Sequence, residues 1–154
     1  MSTGIRSIGD EISQARAMAS TSLTAGGAGD NTLITGVIID RTAHGMPQSG
    51  VLSVPFTTTL AAAQNLSLAS WVLQHGDAAN LSDAATFQAS AAAVVLATSA
   101  GGGTVSGLFE VNVALMGARR YLRLNATPDL SAATVDTATL HGHIVFGGAD
   151  RLPQ

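Results

Sequence analysis

The segment TLHGHIVFGGAD, residues 139–150, places His141 and His143 one residue apart. On a β-strand alternate side chains project to the same face, so both imidazoles point together. Two imidazoles on one strand face are half of a metal site. A complete shell needs further ligands, commonly a carboxylate close behind the pair and a distant histidine. Behind His143 come Ile, Val, Phe, Gly, Gly and Ala, with no carboxylate before Asp150. The other histidines, His44 and His75, each precede a glycine in loop-like sequence, and Glu110 is the one glutamate of the body. The pair therefore reads as two histidines on the outward face of the last strand, near a contact, with no metal bound.

Other chemistries find less. There is no G-x-S-x-G elbow, and no Ser/His/Asp trio stands out among many serines. A P-loop needs a lysine, and the chain has none. The run GGAG before Asp30 lacks dinucleotide-binding spacing and opens no helix. With no cysteine, disulfides, thiolate metal sites and cysteine nucleophiles are excluded. The expectation is a protein with no catalytic residues and no cofactor.

Charge says more about partners. Only 11% of the 154 residues are charged, against roughly 25% in an ordinary soluble domain. All seven basic residues are arginines: Arg6, Arg16, Arg41, Arg119, Arg120, Arg123 and Arg151. Lysine is depleted in interfaces and arginine enriched. Such a surface fits contact with other protein better than contact with water, the alternative being the composition bias of a GC-rich genome, which also favours Ala, Gly and Arg. A net charge of −3 and the missing lysines speak against nucleic acid. No apolar run reaches the ~18 to 20 residues of a membrane span, and the N-terminus shows no signal-peptide pattern. A soluble protein made in a cytoplasm is expected.

The elements that must position these residues are mostly strands. Helix signals are confined to the start, where Ser7 and Asp10 form a weak capping box ahead of Ile8, Ile12, Ala15 and Ala19. Residues 26–29 are glycine-rich and read as a flexible joint. This divides the chain into a non-β N-terminal arm, residues 1–30, extended or a short helix, and a body, residues 31–154. In the body the period is two. Val105, Phe109, Val111, Val113 and Leu115 share one face of the clearest strand, and Leu122, Leu124 and Ala126 share one face of the next. The last strand, about residues 135–146, turns Ala138, Leu140, Ile144 and Phe146 to the core. Leu66, Leu68 and Val72 are expected on one face of an earlier strand, opposite Ala69, Trp71 and Leu73. PDLSAA, residues 128–133, reads as a turn, and Pro55 implies an edge strand or a bulge. Short strands at regular spacing predict an all-β antiparallel sandwich or jelly roll.

One charged cluster stands out. On a strand, Arg119, Tyr121 and Arg123 of RRYLR share a face, either as interface anchors or as a solvated sheet face. Trp71 reads as core.

The combination TAGGAGDN with TGVIIDR, RRYLRLNATPDLSAATVDTATL and FGGADRLPQ resembles the capsid cement, or decoration, proteins of podophage type. These are small structural proteins encoded beside the major capsid protein of tailed phages. The resemblance covers about residues 26–154. It implies a jelly-roll-like fold, homodimers on the outside of the shell, and bridging of HK97-type major capsid protein subunits, so that the protein resides on the virion surface. On that reading the arm reaches a neighbouring capsomer through Ile5, Ile8 and Ile12. The dimer forms through an edge strand, either that of Pro55 or the terminal one. Arg119, Tyr121, Arg123, His141 and His143 are the remaining candidate contacts. The alternatives are a virion module of the same fold that binds surface carbohydrate or a host receptor, with Trp71 and Tyr121 as stacking platforms, and a cupin-like metalloenzyme.

Overall fold

A computed structural model describes residues 12–131 and 135–149. Two antiparallel sheets pack face to face around one apolar core. The first sheet has the order β1(Ser13–Thr24), β10(Thr137–Ala149), β4(Pro47–Leu60), β8(Gly103–Ala114). The second runs β2(Ile34–Thr35), β9(Tyr121–Leu130), β5(Gln64–Gly76), β6(Ala85–Ala89), with β3(Ile39–Asp40) beside β9 and β7(Val94–Ser99) beside β5. The expected antiparallel sandwich is what forms.

The alternating residues supply the core as their period requires. Leu122, Leu124 and Ala126 of β9 are buried, as are Ala138, Leu140, Ile144 and Phe146 of β10. On β5 the simple alternation fails. A register shift between Leu68 and Ser70 inserts an extra residue against β9, which swaps the faces beyond it. Leu66 and Leu68 therefore share the core with Trp71 and Leu73, while Val72 is only half-buried. Pro128 and Leu130 lie inside β9 rather than in a turn.

The N-terminal expectation is corrected over residues 13–24. This segment is a strand of the first sheet, paired with β10 from Ser13 opposite Phe146 to Thr24 opposite Thr137. Its apolar residues follow neither period cleanly. Ala17 and Met18 are adjacent and both buried, because the register slips on either side of Met18. The glycine-rich joint is also a built turn. Asp30 accepts hydrogen bonds from the Gly26 N–H at 2.7 Å and the Leu130 N–H at 2.8 Å. The carboxylate thus ties the turn to the end of β9.

Pro55 and the terminal strand are not at an edge. β4 lies between β10 and β8, β10 lies between β1 and β4, and the edges of this sheet are β1 and β8. Pro55 interrupts the pairing of β4 with β10 without ending it. Pairs run to Leu140 opposite Phe56 and resume in the same register at His143 opposite Ser53, a short gap that follows from a residue with no N–H to give.

Arg41 opens a short 3-10 turn, residues 41–44, and is almost wholly buried. Its guanidinium donates to the carbonyls of Pro47 at 2.6 Å, Leu115 at 3.0 Å and Arg119 at 3.1 Å, and to that of Ala118. One side chain thus joins the start of β4 to the β8–β9 connection.

Candidate functional site

The outer face of the β1-β10-β4-β8 sheet holds the histidine pair. Its four strands carry just two charged side chains, Arg16 on β1 and Glu110 on β8. The strand register places them in one transverse row, in which Arg16 faces His143, His143 faces Ser53, and Ser53 faces Glu110. The Ser53 hydroxyl donates to the Glu110 carboxylate at 3.2 Å. Arg16 has no ion-pair partner among the described residues.

His141 and His143 stand together, with ring centroids 5.1 Å apart and planes tilted by 57°. With Gln14, Arg16, Met18 and Ser20 they line a shallow depression. Partial burial pushes the pKa of His143 down, and His141 beside it adds to the shift. Among the described residues no group of three or more His, Cys, Asp or Glu could hold a metal ion. Gly142 between them is structural, since a Cβ there would lie 3.1 Å from the Met18 Cβ and 3.2 Å from Leu124 Cδ2.

The rows on either side differ in character. Toward one end, Gln14, Val145, Val51 and Asn112 form a row, beside a shallow apolar groove that Ile12 also lines. Toward the other end come two rows of hydroxyls. One is Ser22, Thr139, Thr57 and Ser106, and the other is Thr24, Thr137, Thr59 and Thr104. All eight are exposed. Thr57 and Ser106 are hydrogen-bonded at 2.9 Å, and Thr59 and Thr104 at 3.0 Å.

The arginine cluster belongs to the other sheet and is separate from the histidines. Tyr121 and Arg123 share an alternation on β9, whereas Arg119 precedes the strand. Arg119 instead approaches Asp83 at 3.5 Å and Asp77 at 3.7 Å, and its N–H donates to His75 Nδ1 at 3.2 Å. Arg123 donates to the side-chain oxygen Oε1 of Gln74 through two N–H groups, at 2.8 and 3.1 Å. Arg120, which the sequence does not single out, pairs with Asp40 at 2.7 Å and lies 4.9 Å from the Tyr121 ring centre. Its hydrogen bonds hold the Asp40 carboxyl well below the usual carboxylate range.

Ile12 is 41% exposed, and Ile5 and Ile8 lie outside the described residues. Trp71 is buried against Phe109, with ring centroids 6.4 Å apart, so it offers no face to a sugar. The row joining Arg16 to Glu110 is invisible in sequence, because it depends on register among four strands distant in the chain. The only hint is local: serine or threonine recurs two residues apart at 22 and 24, 57 and 59, 104 and 106, and 137 and 139.

No family model and no curated protein matches the chain. Among solved structures it is similar to an infectious bursal disease virus particle protein, with 13% identity, a TM-score of 0.48, and coverage of 91% of this chain and 33% of that one. It is also similar to the PBSX exported protein XepA, with 12% identity, a TM-score of 0.41, and coverage of 92% and 39%. The chain thus spans between a third and two fifths of these proteins.

Proposed function

We propose that the chain is a non-enzymatic virion structural protein. It binds the outside of an assembled phage capsid and cements neighbouring HK97-type major capsid protein subunits against internal pressure. The observation that carries the reading is a four-stranded sheet whose outer face holds only Arg16 and Glu110 as charged groups, in a chain without lysine. The cores of protein interfaces are depleted in charged residues, and this face carries only that one pair. The sequence resemblance to podophage cement proteins supplies the partner. A protein that binds only the assembled lattice stabilises it by mass action, and many copies on a symmetric shell add avidity. Residues 1–11, with Ile5 and Ile8, are assigned to the neighbouring capsomer.

The test mixes purified chain with expanded, undecorated shells of the phage that encodes it. Co-sedimentation at a saturating copy number, with a raised temperature of DNA release, is expected. Shells that neither bind the chain nor gain heat resistance would overturn the reading. Deletion must stop at residue 11, since removing residues 13–24 would take out β1. If the chain lacking residues 1–11 decorates as well as the full chain, the arm assignment is wrong.

A further inference from the structure

We infer that the outer face of the β1-β10-β4-β8 sheet pairs with the same face of a second copy, about a two-fold axis parallel to the strands. This assigns a surface to the dimer of the proposed reading and rests on that reading only for its use on the shell. The geometry comes from the strand register.

A two-fold axis between β10 and β4, parallel to both, keeps each transverse row at its own level and reverses its order. Arg16 then faces Glu110 of the second copy, and Glu110 faces the second copy's Arg16. The other rows also match. Gln14 meets Asn112 and Val145 meets Val51; beyond the histidines, Thr139 meets Thr57 and Thr24 meets Thr104. An axis across the strands at this row would set Arg16 against Arg16. Charge therefore selects one symmetric arrangement, the isologous contact of a closed dimer.

Size is adequate. Four strands spaced about 4.8 Å apart and about 12 residues long present roughly 700–800 Å² per copy, near the ~800 Å² per partner of a standard interface. Face-to-face sheets hold their strands within about 30° of each other, so the match is best at the central rows, where the charges lie. Within one chain, Arg16 and Glu110 are three strand spacings apart, roughly 14 Å. That exceeds the screening length of about 8 Å in physiological salt, so they scarcely couple in the monomer.

Charge exchange tests this. Sedimentation equilibrium of the full chain is expected to give a dimer. Arg16→Glu and Glu110→Arg should each weaken it by at least about tenfold, because each creates two like-charge contacts. The double exchange should return the dissociation constant to within about threefold of the parent. Both sites are exposed, and unchanged thermal unfolding will show that the variants fold. Thr139→Arg, at the centre of a hydroxyl row, should also dissociate the dimer. A monomeric parent, a dimer indifferent to the single reversals, or a double exchange that fails to restore it would each overturn the inference. Shell binding is scored separately. A monomer that still decorates shells rejects this face and keeps the cement reading, whereas a dimer that never binds shells does the reverse.

Discussion

Met18 and Gly142 face each other across β1 and β10 at the level where the first sheet loses its regular ladder. Both sides of the glycine are spoken for, by Met18 and by Leu124 from the opposite sheet. The space on the inward side of Gly142, opposite the face that carries the two histidines, is therefore filled by the core's own side chains.

Gly142→Ala tests that packing directly. The new methyl must displace Met18 or Leu124 by a few tenths of an ångström. Overpacking of this kind costs about 1–3 kcal/mol. Urea unfolding should show it as a lower midpoint at unchanged slope. A loss under about 0.5 kcal/mol would mean that the two strands separate freely here.

Replacing Arg41 with Met should be among the most damaging single changes. It strands the carbonyls of Pro47, Leu115, Ala118 and Arg119 that the guanidinium now serves. Breaking a buried charged network of this kind costs about 3–5 kcal/mol. Equilibrium denaturation measures it, and a loss below about 1 kcal/mol would show that water takes over the four carbonyls.

Asp30→Ala should loosen the turn it closes. The N–H groups of Gly26 and Leu130 lose their acceptor, at about 1–3 kcal/mol. Limited proteolysis should open a new cut within residues 26–29 before the body is attacked. Resistance equal to the parent would show the turn to be held by its backbone alone.

Acid should destabilise the fold below neutrality. Burial lowers the pKa values of His44, His75 and His143, Arg119 assisting at His75 and His141 at His143. The unfolded chain then binds more protons than the native one, so stability falls as pH drops below the ordinary histidine value of 6.5 and through the folded values. Asp40 acts in a lower window. Its depressed pKa gives stability that persists above the ordinary carboxylate range and is lost only in stronger acid, and solvent screening keeps that contribution small. Urea midpoints at pH 7.5 and 5.5 should differ, the lower pH being weaker. Equal midpoints would show that these imidazoles protonate without cost.

Much of the sandwich is legible in the sequence. The faces of β8, β9 and β10 follow directly from period two. What escapes is set by single inserted residues and by partners far along the chain. The bulge near Ala69 reverses the faces of β5, and the slips around Met18 disguise β1 as a thin helix stripe. Pro55 suggests an edge because sequence cannot show that pairing resumes in register on either side of it. For the site, the histidine pair and its shared face are readable. Its neighbours Arg16, Ser53 and Glu110 are not, since three strand pairings must be known before they line up.

The position of β10 has a consequence for synthesis. It is the last strand among the described residues, yet it sits inside its sheet, with β1 on one side and β4 on the other. While the ribosome is still translating residues 137–149, β1 has no neighbour in its sheet and the core lacks Leu140, Ile144 and Phe146. Pairing between β1 and β10 is also the most non-local strand pairing among the described residues, and such contacts form slowly. This sheet therefore closes only after β10 has cleared the exit tunnel, and a chain interrupted before residue 137 leaves the edges of β1 and β4 open to aggregation.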